Sequence, residues 1–289
     1  MKIEAVPGPA NVLGETPVWS AAERRLWWVD IRSSEVLSWR PDDGALARWS
    51  FPDLACGVAL RRSGGLIVAS RKSILAFNPD SGCSSPLMTV ETDPPQNRLN
   101  ELRCDRSGNL WIGSMWDLGL QVSGALYRAG ADLEITRVRT DVRIPNAIAL
   151  SPDGRTLYFA DTGTGKIEQA TLDPDTGLPS PWRTFVKADA APGRPDGATV
   201  DANGYLWNAR IGGACLARFA PDGRLNRIVP LPVSNPTACA FGGSDLETLY
   251  VTTATQGLSK AERAAQPLAG RLLALKPGVT GLAESKFAG

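Results

Sequence analysis

Asp196, in the run Arg194-Pro-Asp-Gly-Ala198, stands eight residues before Gly204. Asn100 stands eight before Gly108, and Asn146 eight before Gly154. The same count from Gly64 reaches Cys56, and counting along the chain where no such glycine occurs places Glu15 and Ala238 at about the same point. Two carboxylates and two carboxamides brought to one place are costly to bury unpaired. A hard divalent cation removes that cost, because it takes carboxylate and amide oxygens as ligands. Any one of these residues alone reads more simply as a strand-start residue satisfying backbone groups. Four falling together in independent copies, three of them at one offset, favour a site, with Asp196 as its candidate for chemistry. Asp201, five residues on, lies three before Gly204 just as Asp105 lies three before Gly108, so it reads as a turn residue.

The chain contains no histidine. That excludes Ser-His-Asp and Cys-His catalysis, histidine-ligated zinc and histidine general bases. Chemistry must come from carboxylates, amides, hydroxyls, Lys, Arg or a metal bound through oxygen. A net charge of +1 gives no footprint for nucleic acid or an anionic membrane. No apolar run has membrane-spanning length, and the first residues lack the layout of a secretory signal. Five scattered cysteines without a CxxC read as buried thiols in a reducing cytoplasm.

The elements that must position these residues are repeats. AERRLWWVD, RSGGLIVAS, RSGNLWIGS, PDGRTLYFAD, ANGYLWNAR and SDLETLYVTT each lead from a turn into an apolar strand. Their anchor leucines, Leu26, Leu66, Leu110, Leu157, Leu206 and Leu249, are 40, 44, 47, 49 and 43 residues apart. This is the period of a propeller blade. The sequence therefore predicts an all-β fold, a single six-bladed β-propeller over residues 1–289 with four-stranded blades around a central channel. Ser259-Lys-Ala-Glu262 predicts a capping box on one short helix, and Lys2–Val6 is expected to complete the last blade. The first strand of each blade lines the channel, so the equivalent positions form a ring: Glu15, Cys56, Asn100, Asn146, Asp196, Ala238.

The segments GETPVW, RLNELRCDRSGNLWIGSM, PNAIALSPDGRTLYFADT and RPDGATVDANGYLW resemble those of the senescence-marker-protein (regucalcin)/gluconolactonase family, and GLSKAERAAQPLAG resembles its bacterial sugar-lactonase members. The resemblance covers essentially the whole chain. It implies a six-bladed propeller with one catalytic divalent metal at the channel mouth. Glu15, Asn146 and Asp196 match the family's metal ligands, although Ala147 replaces the glycine that follows the asparagine. Arg98 and Asn100 match its substrate-holding segment, with Glu101 in place of an aspartate. Trp116, Asp117 and Leu120 are further candidates to line the pocket, and Arg210 is a candidate contact for an anionic or deoxy-sugar substituent.

The implied activity is hydrolysis of a sugar lactone to an aldonic acid in carbohydrate catabolism. Asp196 would be ligand and general base, and Arg98, Asn100, Glu101 and Trp116 substrate contacts. The cofactor is one divalent cation, with Ca, Zn, Mn, Mg and Fe(II) all open. Expected partners are a small lactone, no nucleic acid and no membrane, for a cytoplasmic monomer or weak homo-oligomer. Two alternatives stand beside this: a promiscuous esterase or phosphotriesterase, and a calcium-binding propeller without catalysis.

Overall fold

The computed structural model describes residues 1–119 and 121–289; Leu120 lies outside the described residues. Six four-stranded antiparallel sheets follow one another along the chain and close into a six-bladed propeller. The innermost strands are Gly14–Ser20, Gly57–Leu60, Asn97–Cys104, Pro145–Leu150, Arg194–Val200 and Pro236–Gly242. Gly14–Ser20 and Pro236–Gly242 are buried at every residue, whereas the outer strand Leu46–Ser50 alternates between exposed and half-buried positions. An inner strand has neighbouring blades on both faces, so it has no solvated face on which to place polar residues. Between blades the core is aromatic: Trp19 stacks on Tyr250, and Trp207 meets the edge of Phe241. Trp19, Trp27, Trp28, Trp111 and Trp207 are all buried, which accounts for much of the tryptophan content as packing.

The ring closes through the N-terminal strand. Ile3–Ala5 pairs antiparallel with Leu273–Leu275, so the last blade takes three strands from the end of the chain and one from its beginning. The helix Lys260–Ala265 is capped by Ser259, and both arms of the capping box are present. Asp201 is a turn residue as expected. Its carboxylate accepts from the amides of Asn203 and Tyr205, from Trp207 Nε1 and from the Arg218 guanidinium. Asp105 does the same for Ser107, Asn109 and Trp111. All five cysteines are free; four are buried, but Cys83 is exposed at the edge of an outer strand, contrary to the expectation of burial.

Pairing fixes the ring. Each anchor leucine faces a partner on the inner strand: Trp19, Leu60, Cys104, Leu150, Val200 and Phe241. Four residues before each partner stand Glu15, Cys56, Asn100, Asn146, Asp196 and Thr237. The sixth member is therefore Thr237 and not Ala238. Sequence counting missed it because the turn of the last blade has a different length. In every blade but the second, the inner strand carries a register shift at or beside this position, after Glu15, Leu99, Asn146, Pro195 and Pro236. Such β-bulges turn a side chain out of the ordinary alternation. Thr16 (φ 44°) and Ala147 (φ 53°), directly after Glu15 and Asn146, take up the bend in the left-handed region.

The opposite end of the channel is covered by the segment 280–289. Its backbone bonds to Ala202, Leu246, Leu60, Arg62 and Gly108, and Phe287 is fully buried. From it Glu284 reaches Arg103, at 2.8 Å, which also donates to the carbonyls of Ile148 and Ala198. Removing one partner of a buried pair orphans the other charge. Glu284→Ala is expected to cost about 3 kcal/mol of stability, measured as a lowered denaturation midpoint. An unchanged midpoint would show the pair to be dispensable.

Candidate metal centre

Glu15, Asn100, Asn146 and Asp196 are all buried at the mouth of the channel, each on the inner strand of a different blade. Their surroundings divide them into two kinds. The amides are fixed by a chain of hydrogen bonds that crosses three blades. Arg98 Nη1 donates to Asn100 Oδ1 (2.7 Å), and Asn100 Nδ2 donates to Pro145 O (2.9 Å) and Asn146 Oδ1 (3.3 Å). Asn146 Nδ2 donates to Thr162 Oγ1 (2.8 Å), which donates to Pro195 O (2.7 Å), the residue before Asp196. This chain fixes which way each amide oxygen points. Thr162, at the end of the second strand of its blade, gave no sequence signal beyond an ordinary Asp-Thr-Gly turn.

The carboxylates are left short of partners. Among the described residues, Glu15 accepts only from the Thr16 amide, at 3.2 Å, and Asp196 only from the Gly197 amide, at 3.1 Å. Arg98, whose charge acts on both, makes its hydrogen bonds to Asp117, Leu99 O and Asn100. Burial pushes the Glu15 carboxyl up to about 8, and the charge of Glu101 adds to this. Burial also raises Asp196 well above the usual carboxylate range, with Glu15 and Glu101 contributing. Two buried, under-bonded carboxylates beside oriented amide oxygens fit a hard divalent cation, which would replace the missing positive charge. No three His, Cys, Asp or Glu side chains form a metal-holding group by themselves among the described residues, so such an ion must draw on amide oxygen as well.

Glu101 is tied to the backbone of the next blade. Its carboxylate accepts from Ile148 N at 2.9 Å, and burial lifts it to about 7 while Arg103 pulls it down. It lies in the channel, between the ring and the Arg103–Glu284 pair. The cause is the bulge, which sends Asn100 and Glu101 to successive levels of the same channel. Trp116 ends its strand at the mouth, half-buried and paired in register with Asn97. Asp117 beside it binds three arginines: Arg32 (2.7 Å), Arg98 (3.0 Å) and Arg71 (3.5 Å). The suggested pocket residue Leu120 lies outside the described residues.

Arg210 does not face the mouth. Fully buried, it donates to the carbonyls of Ala191, Pro192 and Gly193 and to Asn208 Oδ1, and Asn208 in turn donates to the carbonyl of Asp196 at 2.6 Å. It therefore anchors the loop entering the Asp196 strand. A buried arginine without a carboxylate partner among the described residues is satisfied here by carbonyl oxygens alone, which a sequence gives no means of reading.

The family model described as the SMP-30/gluconolactonase/LRE-like region matches residues 13–255. The chain belongs to this family. Family members with curated names include a 6-deoxy-6-sulfogluconolactonase of Pseudomonas putida, 35% identical over 99% of both chains. An L-arabinolactonase of Azospirillum brasilense is 35% identical over 96% of this chain and 93% of its own. Among solved structures, the calcium-binding protein regucalcin of Agrobacterium tumefaciens superposes with a TM-score of 0.94 at 30% identity, covering 98% of this chain and 96% of that one. The expected family and fold are thus both found, and several relatives bear the names of sugar lactonases.

Proposed function

We propose that this protein is a sugar lactonase that opens an aldonolactone to its aldonic acid with one divalent cation held by Glu15, Asn146 and Asp196. The observation that carries the reading is the pair of buried carboxylates with no salt-bridge partner among the described residues, set beside amide oxygens already oriented by a hydrogen-bond chain. When bound, such an ion supplies a Lewis acid that polarises a carbonyl and favours ionisation of water.

The protein's own groups do the rest. Asp196 accepts the proton of the attacking water, and that proton is the one the ring oxygen needs as it leaves. Arg98 keeps two N–H groups of Nη2 without an acceptor among the described residues, available to the lactone oxygens. Asn100 holds Arg98 and Asn146 in their relative places, so the donors are arranged before substrate arrives. Trp116 offers a half-buried apolar wall to the sugar. The all-oxygen donor set suits Ca, Mg or Mn and also accepts Zn or Fe(II). The lactonase reading makes it an enzyme of carbohydrate catabolism acting on a small molecule, the scattered cysteines without a CxxC suit a reducing cytoplasm, and no described helix is long and apolar enough to cross a membrane.

The test is proton release from five- and six-carbon lactones, in γ and δ rings, by chelator-stripped protein with single divalent ions restored. Turnover that returns with the ion supports the proposal. Ion binding without turnover on any lactone would overturn it, in favour of the calcium-binding role that the name of the Agrobacterium neighbour carries for that protein.

A further inference from the structure

The mouth of the channel carries more positive charge than its own fold requires. Arg32 comes from the second turn of blade 1, Arg71 from that of blade 2, and Arg98 from the inner strand of blade 3. All three converge on Asp117. Arg32 binds it through both terminal nitrogens (2.7 and 3.2 Å) while its Nε is held by Gln256. Among the described residues, only Arg71 has a second carboxylate, Asp53, at 3.1 Å. Three guanidiniums against two carboxylates leave one positive charge in excess, in a half-buried setting where like charges repel appreciably.

The donors point the same way. Nη2 of Arg98 and Nη2 of Arg71 meet no acceptor among the described residues, although Arg98 is only 3% exposed. Asp117 does not offset this toward a ligand, because its two oxygens already receive four guanidinium contacts. Arg98 also bonds Asn100 of the ring, so the cluster begins one side chain away from the candidate metal ligands, on the side of blades 1 to 3.

We infer that the substrate is an anionic sugar lactone, whose carboxylate, sulfonate or phosphate, on the carbon chain away from the reacting carbonyl, is bound at Arg71 and Arg32, beside the Arg98 donors that take the lactone oxygens. The inference rests on the lactonase reading of the same site and narrows it. A cation at Glu15 and Asp196 neutralises those carboxylates, leaving the arginine excess for the substrate to balance. Guanidinium forks match such oxyanions in geometry as well as charge.

The experiment compares kcat/KM for one neutral aldonolactone with that for lactones of the same ring bearing a terminal carboxylate, sulfonate or phosphate. Wild type and Arg71→Gln are measured at low and high salt. Arg71 is a third exposed, so its replacement does not threaten the fold. At least one anionic lactone is expected to exceed the neutral one by roughly tenfold or more at low salt, with the advantage shrinking as salt rises. In Arg71→Gln the ratio of anionic to neutral kcat/KM is expected to fall about tenfold. Which anion leads identifies the substituent. Equal or better turnover of the neutral lactone, or a ratio unmoved in Arg71→Gln, overturns the inference and leaves the lactonase reading standing. No turnover of any lactone, charged or neutral, overturns both.

Discussion

Asp196→Asn is expected to lower kcat/KM for lactone hydrolysis by roughly 10³- to 10⁴-fold. The substitution keeps the size of the side chain and an oxygen for the Gly197 amide, so the fold should survive. What it removes is the only group at the mouth proposed both to hold the cation and to take a proton. Glu15→Gln removes ligand charge without removing the base. It should therefore weaken ion affinity strongly while more of the turnover returns at high ion concentration. Measuring kcat/KM against divalent ion concentration for both variants separates the two roles. Retention of activity within tenfold in Asp196→Asn would remove it from the chemistry altogether.

The second large effect is on stability. Glu15 has an ordinary value of 4.5 and is pushed up to about 8 by burial in the folded chain, and Asp196 is raised in the same direction. Between these limits the folded protein holds protons that the unfolded chain has released. Stability must then fall as pH rises through this window, the reverse of the behaviour of a salt-bridged carboxylate. The cation-free protein is expected to lose on the order of 3 kcal/mol between pH 5 and pH 8, seen as a fall of roughly 6–12 °C in Tm. A divalent cation needs the ionised ligands, so its binding expels those protons and strengthens with pH. Added ion should restore most of the lost Tm at pH 8 and little at pH 5. Glu15→Gln should flatten the cation-free profile while impairing activity, a site residue that costs the empty protein stability. A cation-free Tm that is constant or rises across this range would contradict the burial of uncompensated carboxylates at the mouth.

Much of this architecture was legible because a propeller repeats itself. The anchor leucines, the turn residues Asp105 and Asp201, and the offsets of Asn100, Asn146 and Asp196 recur at blade period, so three positions that local propensity could not distinguish were picked out by their common place in the unit. The closing strand near the N-terminus and the capped helix were also readable, the second from its purely local box. Where a blade departed from the common turn length, counting failed. It gave Ala238 for Thr237, whose hydroxyl bonds Gly14 O and Thr252 beside the ring.

The sequence by itself determined the period, the blade number, the exclusion of histidine chemistry and which oxygen-bearing side chains are candidates for the site, all of which are properties of residue type and spacing. Tertiary structure alone decided how those donors are used. Bulges set Asn100 at the mouth and Glu101 below it, and the chain through Thr162 oriented amides from different blades. Arg210 was turned inward onto three carbonyls, while Arg32, Arg71 and Arg98 were gathered on Asp117. The physical reason is common to these cases. Charge and hydrogen-bond satisfaction in a buried site depend on groups from different blades, far apart in the chain, and no local pattern encodes which of them will meet.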